Sequence, residues 1–129
     1  MVHTIKLNNG VEMPEIGLGT WAAHKTGIVS DTLKTAVDLG YRHIDCATIY
    51  GNQVEIGEAL KHASVPRKEL FIVSKIWQTM HRPELVPKAL DEILEQLQLD
   101  YLDLLLVHWP YALKPETPGM KFTASDLDN

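Results

Sequence analysis

Residues 70–107 read LFIVSKIWQTMHRPELVPKALDEILEQLQLDYLDLLLV. Leu70–Ser74 is an almost wholly apolar run, the pattern of a strand buried on both faces. From about Pro83 to Leu97 the spacing changes. Val86, Leu90, Ile93 and Leu97 recur at helical intervals and make one stripe for burial. Pro87 would remove a hydrogen bond from any helix that began a turn earlier, which moves the expected regular start towards Pro87 itself. Leu102–Val107 is a second apolar run. Strand, amphipathic helix and strand in succession lay the two strands parallel, with the helix packed over them.

Working outward, the same unit repeats upstream. Tyr41–Ile44 reads as a strand, followed by a helix with Ile56, Ala59, Leu60 and Ala63 on its inner face and Pro66 as its stop. Before it, the short run Ile16–Gly19 precedes a helix from about Gly27 to Leu39, with Val29, Leu33, Ala36 and Val37 on one face and Gly40 placed as its cap. Residues 3–13 alternate around Asn8-Asn9-Gly10 and predict a hairpin closed by Pro14. Beyond Trp109 the chain reads as a loop rich in Pro, Thr and Asp. The order is hairpin, then β-α-β-α-β-α-β. The expected divisions are a hairpin over 1–14, the regular part over 15–110 and a loop or tail over 111–129.

The whole chain is 129 residues, 45% hydrophobic and 22% charged, with 12 Lys+Arg against 17 Asp+Glu for a formal charge of −5. That size suits one domain. The acidic, interspersed charge argues against nucleic acid, which demands a concentrated basic surface. No stretch approaches a membrane span, and the opening MVHTIKLNNG lacks the apolar run of a signal peptide. A single cysteine, Cys46, forms no internal disulfide and fits a cytoplasmic setting. No zinc spacing or short repeat is present, and no metal site is expected.

In parallel α/β folds, functional groups collect at the C-terminal ends of the strands. Here those ends carry Gly19-Thr20-Trp21, then Asp45, Cys46 and Tyr50, then Lys75 and Trp77, then His108 and Trp109. Taken singly, each has an ordinary explanation. Asp45 suits a helix cap, Tyr50 and the tryptophans suit packing, and His108 suits a structural histidine. Lys75, directly after a buried strand, must leave the core or be paired. Cys46 reads as a small buried filler, and His3, His24, His43, His62 and His81 as surface or local residues. Joint placement changes the reading. An ammonium held beside a phenol favours the phenolate, a carboxylate keeps the ammonium aimed, and an imidazole can polarise a carbonyl oxygen. Together they form a proton-donating site for carbonyl reduction. No side chain delivers hydride, so a nicotinamide or flavin is required.

The segment Gly40-Tyr41-Arg42-His43-Ile44-Asp45-Cys46-Ala47, followed by Gln53 and Ile56-Gly57, resembles the first signature of the aldo-keto reductase superfamily. Gly17-Leu18-Gly19-Thr20-Trp21, Val73-Ser74-Lys75-Ile76-Trp77 and the stretch from Leu102 to Pro110 fit the same family in the same order. Met13-Pro14 and the hairpin, which is similar to the family's plug over the barrel floor, fit too. The motifs look closest to aldehyde, aldose and xylose reductases. The resemblance implies a (β/α)8 TIM barrel that reduces small aldehydes or ketones with NADPH, without a metal. It implies a catalytic tetrad of Asp45, Tyr50, Lys75 and His108, with Tyr50 as the acid and His108 orienting the carbonyl. Gly19, Thr20, Trp21 and Asp45 would lie against the cofactor, and Trp21, Ile49, Trp77 and Trp109 would line an apolar substrate pocket.

The family barrel has eight strands, and four are read here, with three helices: an N-terminal half. The later residues that grip the nicotinamide amide and the 2′-phosphate are missing, and losing even ~4 kcal/mol weakens binding about a thousandfold. Half a barrel is expected to leave its first and fourth strands as open edges and its inner and helix faces uncovered, which invites self-association. The alternative expectation is an inactive, truncated relative or interaction module. A doubly wound nucleotide-binding protein is excluded by its glycine turn: Gly17 and Gly19 suit the first two positions, but Ala22 stands at the third.

Overall fold

The computed structural model describes residues 2–21 and 27–128; His24, assigned a surface or local role above, lies outside them. The chain opens with an antiparallel pair, β1 (Thr4–Lys6) and β2 (Glu12–Pro14), in register Thr4↔Pro14. Gly10 turns it at φ 87°, a left-handed conformation that glycine adopts without steric cost. Pro14 is the last paired residue of the hairpin and closes it, as expected.

Four parallel strands follow in sequence order: β3 (Leu18–Gly19), β4 (His43–Asp45), β5 (Phe71–Ile76) and β6 (Leu104–Val107). They are joined through α1 (Ile28–Asp38), α2 (Gln53–Lys61) and α3 (Val86–Leu97). β3 is the shortest strand, and the glycines of its run give it little side chain with which to pack. β5 is longer than the expected Leu70–Ser74 and continues to Ile76, so Lys75 lies within the strand rather than past its end.

Pleat alternation sorts the sheet. Ile44, Ile72 and Ile76 face the helices and join Val29, Leu33, Val37, Ile56, Ile93 and Leu97 in the core. Burying each such side chain stabilises the fold by ~1.5–3 kcal/mol. Over β3 to β5 the helix face is therefore covered, but Val107 of β6, level with Ile76, stays 56% exposed, so at the last strand that face is open as the half-barrel argument anticipated. Crossovers of a single hand place all three helices on one side of the sheet. The inner face differs. Met13, Gly17, Gly19, His43, Asp45, Val73, Leu104 and Leu106 border an open hollow of about 390 Å³ on it.

The expected α1 stripe, Val29, Leu33, Ala36 and Val37, is buried throughout. Its first turn is capped from α2, where Glu55 Oε1 accepts from the N–H groups of Gly27 at 2.7 Å and Ser30 at 3.2 Å. α2 stops at Lys61, well before Pro66, and Ala63 reaches the core from the turn beyond it. α3 begins at Val86, so Pro87 sits in the first turn, where its missing N–H would have had no partner. α2 and α3 touch through Gly57: a Cβ there would stand 2.6 Å from Gln96 O and 2.7 Å from Leu97 C.

Candidate functional site

Asp45 ends β4, between Gly19 of β3 and Val73 of β5 in register. The chain then makes one 3-10 turn, Thr48–Tyr50, and Gly51 leaves it at φ 69°. Thr48 Oγ1 donates to the Lys75 carbonyl at 3.1 Å, stitching this turn to β5. Tyr50 is thereby brought over Lys75. His108 directly follows β6, its N–H donating to Ile76 O at 3.2 Å.

Lys75 Nζ is the hub. It donates to Asp45 Oδ1 at 2.6 Å, to the Cys46 carbonyl at 2.8 Å and to Tyr50 Oη at 3.4 Å. All three directions of an ammonium are thus used, on a side chain that is only 13% exposed. His108 stands edge-on to Tyr50, ring centroids 5.6 Å apart. Burial first, then the charge of Lys75, hold its pKa below the ordinary imidazole value, while Asp45 pulls in the other direction. A neutral imidazole is favoured, able to donate a hydrogen bond without carrying charge. His108 Nδ1 is buried with no partner among the described residues.

Cys46 is fully buried, and burial pushes its thiol up to about 12. It is an inert filler, as expected, and its carbonyl rather than its sulfur serves the site.

Trp21, Ile49, Tyr50, Trp77, His108, Trp109 and Met120 line one cavity of about 260 Å³. All four expected pocket residues reach it. Trp21 packs on Tyr50 at 5.0 Å, and Trp77 meets both His108 and Trp109 at 5.5 Å. Met120 was missed. It arrives from the tail, where nothing in the local sequence marks it for a pocket. That tail is irregular but tied down. Leu113 is buried and donates its N–H to Gln78 O, Leu113 and Leu127 form a bridge, and Arg82 holds Asp128 with bonds of 2.7 and 2.9 Å. A run of tilted ring contacts from Trp109 through Tyr111 to Phe122 follows it.

Gly19, Thr20 and Trp21 form the opposite lip. A Cβ on Gly19 would meet no described atom within 4 Å, so the space beside it and Asp45 is open. Thr20 is buried, and both its N–H and its Oγ1 donate to the Asp45 carbonyl, at 3.1 and 2.9 Å. Asn52 Nδ2 donates to Thr20 O at 2.9 Å from the start of α2. Among the described residues no cluster of three or more His, Cys, Asp and Glu could hold a metal, and no helix is long and apolar enough to cross a membrane.

Residues 15–128 match the sequence model of the Aldo/keto reductase family. The chain is 56% identical over 115 residues to aldo-keto reductase family 1 member A1 of Bos taurus, covering 85% of this chain and 35% of the relative. With its Homo sapiens counterpart the figures are 55%, 85% and 35%. A solved aldose reductase from Schistosoma japonicum superposes with a TM-score of 0.90 at 46% identity, over 98% of this chain and 44% of that one. The chain spans about a third of the length of these curated relatives. Its four strands and three helices correspond to the N-terminal half of the (β/α)8 fold.

Proposed function

This chain belongs to the aldo/keto reductase family, and from that premise we propose that its strand-end residues serve the reduction of a small aldehyde or ketone to the alcohol with NADPH. The observation that carries the reading is the Lys75 ammonium held at once by Asp45 at 2.6 Å and beside Tyr50 Oη at 3.4 Å. Structural burial of a lysine calls for a carboxylate. It does not call for a phenol at the mouth of an apolar cavity.

Tyr50 is the acid in this reading. As its proton passes to the substrate oxygen, the charge left on Oη is met by Lys75, which Asp45 and the Cys46 carbonyl keep aimed. Neutral His108 donates a hydrogen bond to the same oxygen and fixes the carbonyl's orientation. Trp21, Ile49, Trp77, Trp109 and Met120 enclose the remainder of the substrate and exclude water. The space beside Gly19 and Asp45 is open to a nicotinamide ring, and these residues with Thr20 and Trp21 would hold that end of the cofactor. NADPH, when bound, supplies the hydride that adds to the carbonyl carbon.

The test is titration of the purified chain with NADPH, followed by quenching of its three tryptophans. Saturable binding, together with turnover of an aromatic aldehyde that Tyr50→Phe lowers about a hundredfold or more, supports the proposal. Absence of binding in a folded sample, or full activity in Tyr50→Phe, overturns it for this chain.

A further inference from the structure

Asn52 stands at the start of α2, where its carbonyl accepts from Ile56 N at 3.1 Å. An asparagine in that position ordinarily folds its side-chain oxygen onto the helix's free N–H groups. Asn52 makes no such bond. Its amide is turned away from the helix to the end of β3, where Nδ2 reaches Thr20 O in a buried bond of 2.9 Å. Oδ1 is left buried, without a partner among the described residues. Forgoing the cap and stranding the oxygen both cost stability. Departures of this kind from local optimality mark places where something other than stability is served.

What the bond reaches is the lip of the cavity. Thr20 is held from below by the Asp45 carbonyl, which accepts from its N–H and its hydroxyl. Asn52 holds it from the side, so the peptide leading into Trp21 is clamped between β4 and α2. Trp21 then packs on Tyr50 at 5.0 Å. Tyr50 lies two residues before Asn52 on the same short segment. One piece of chain therefore carries the phenol and also grips the strand end that presents the indole against it.

We infer that Asn52 is a positioning residue: by donating to Thr20 O it fixes Trp21 against Tyr50 and so holds in place the cavity wall that the two rings make together. The inference gains its catalytic meaning from the reductase reading above, but its geometry is testable without cofactor. Asn52→Asp keeps the size and replaces the donor with an acceptor facing a carbonyl. Asn52→Leu removes the donor and the stranded oxygen together. In the unliganded chain, NMR cross-peaks between the Trp21 and Tyr50 rings report the contact, and methyl shifts of Leu33, Ile93 and Leu97 report the core.

Both variants are expected to lose the ring cross-peaks while the core shifts stay where they are. Persistence of the cross-peaks in either folded variant overturns the inference. Unfolding of both overturns it as well, because the bond would then be holding the fold and not the lip. A wild-type chain that fails to take up NADPH while both variants release Trp21 would remove the reductase reading and leave this one standing.

Discussion

His108 occupies a position where two charges disagree. Burial and the Lys75 ammonium make its protonation harder than that of a free imidazole, and Asp45 offsets them only in part. Its folded pKa therefore lies below the unfolded value of ~6.5. The unfolded chain then binds more protons in the interval between the two values. Stability from His108 is fully present above about pH 6.5 and is lost as pH falls through the folded value. An imidazole titration by NMR is expected to show a His108 midpoint below that of an unfolded reference peptide. A midpoint at or above the reference would contradict the geometry. At this scale the convergence of Asp45, Tyr50, Lys75 and His108 was legible in the sequence, since each sits at or just beyond a strand end and strand ends share a rim. The hydrogen bonds of Asn52 and Thr20 were not. They join residues far apart in the chain, and no local pattern records them.

Between elements, α2 and α3 cross closely at Gly57. The atoms a methyl would strike, Gln96 O and Leu97 C, are backbone and cannot swing aside. Gly57→Ala would otherwise favour the helix. Here it is expected to cost ~1–3 kcal/mol by forcing the helices apart, measured as a lowered denaturation midpoint; an unchanged or raised midpoint would show that the crossing yields. The helices were legible because their apolar spacing is strong, and the stripe of α1 was buried residue for residue. Their ends were less so. Pro66 bounds α2 from a distance, but the helix is closed earlier by His62 and Ala63, whose N–H groups turn back to Ala59 and Leu60. Strand β5 ran further than its apolar composition suggested, because Lys75 stays in the ladder while its head group leaves for Asp45.

Across the molecule, the tail behaves as a strap. Residues 112–114 and 126–128 meet each other, and the stretch between carries Met120 to the cavity. Leu113→Ala is expected to cost about 2 kcal/mol or more and to speed amide exchange at Lys114 and Asp128 while β5 stays protected. Equal loss of protection in β5 would mean the strap and sheet are one cooperative unit. This part was the least legible. Pro, Thr and Asp announce irregular chain, but they do not say where it is fastened. The parallel sheet with its helices was legible from the alternation of runs and the half-barrel from the family resemblance, whereas the open hollow on the inner face follows from which residues the pleat turns inward.

The strands lie side by side in the order in which they are translated, β3 to β6, and each helix packs on the one before it. Among the described residues each strand after β3 therefore pairs with one already made. That local order spares these four strands the slow loop closure of tangled topologies. The consequence for the site is an order of assembly. Asp45, Tyr50 and Lys75 can meet once residues up to about Ile76 are free to fold, before His108 has been synthesised and before the strap that brings Met120 exists.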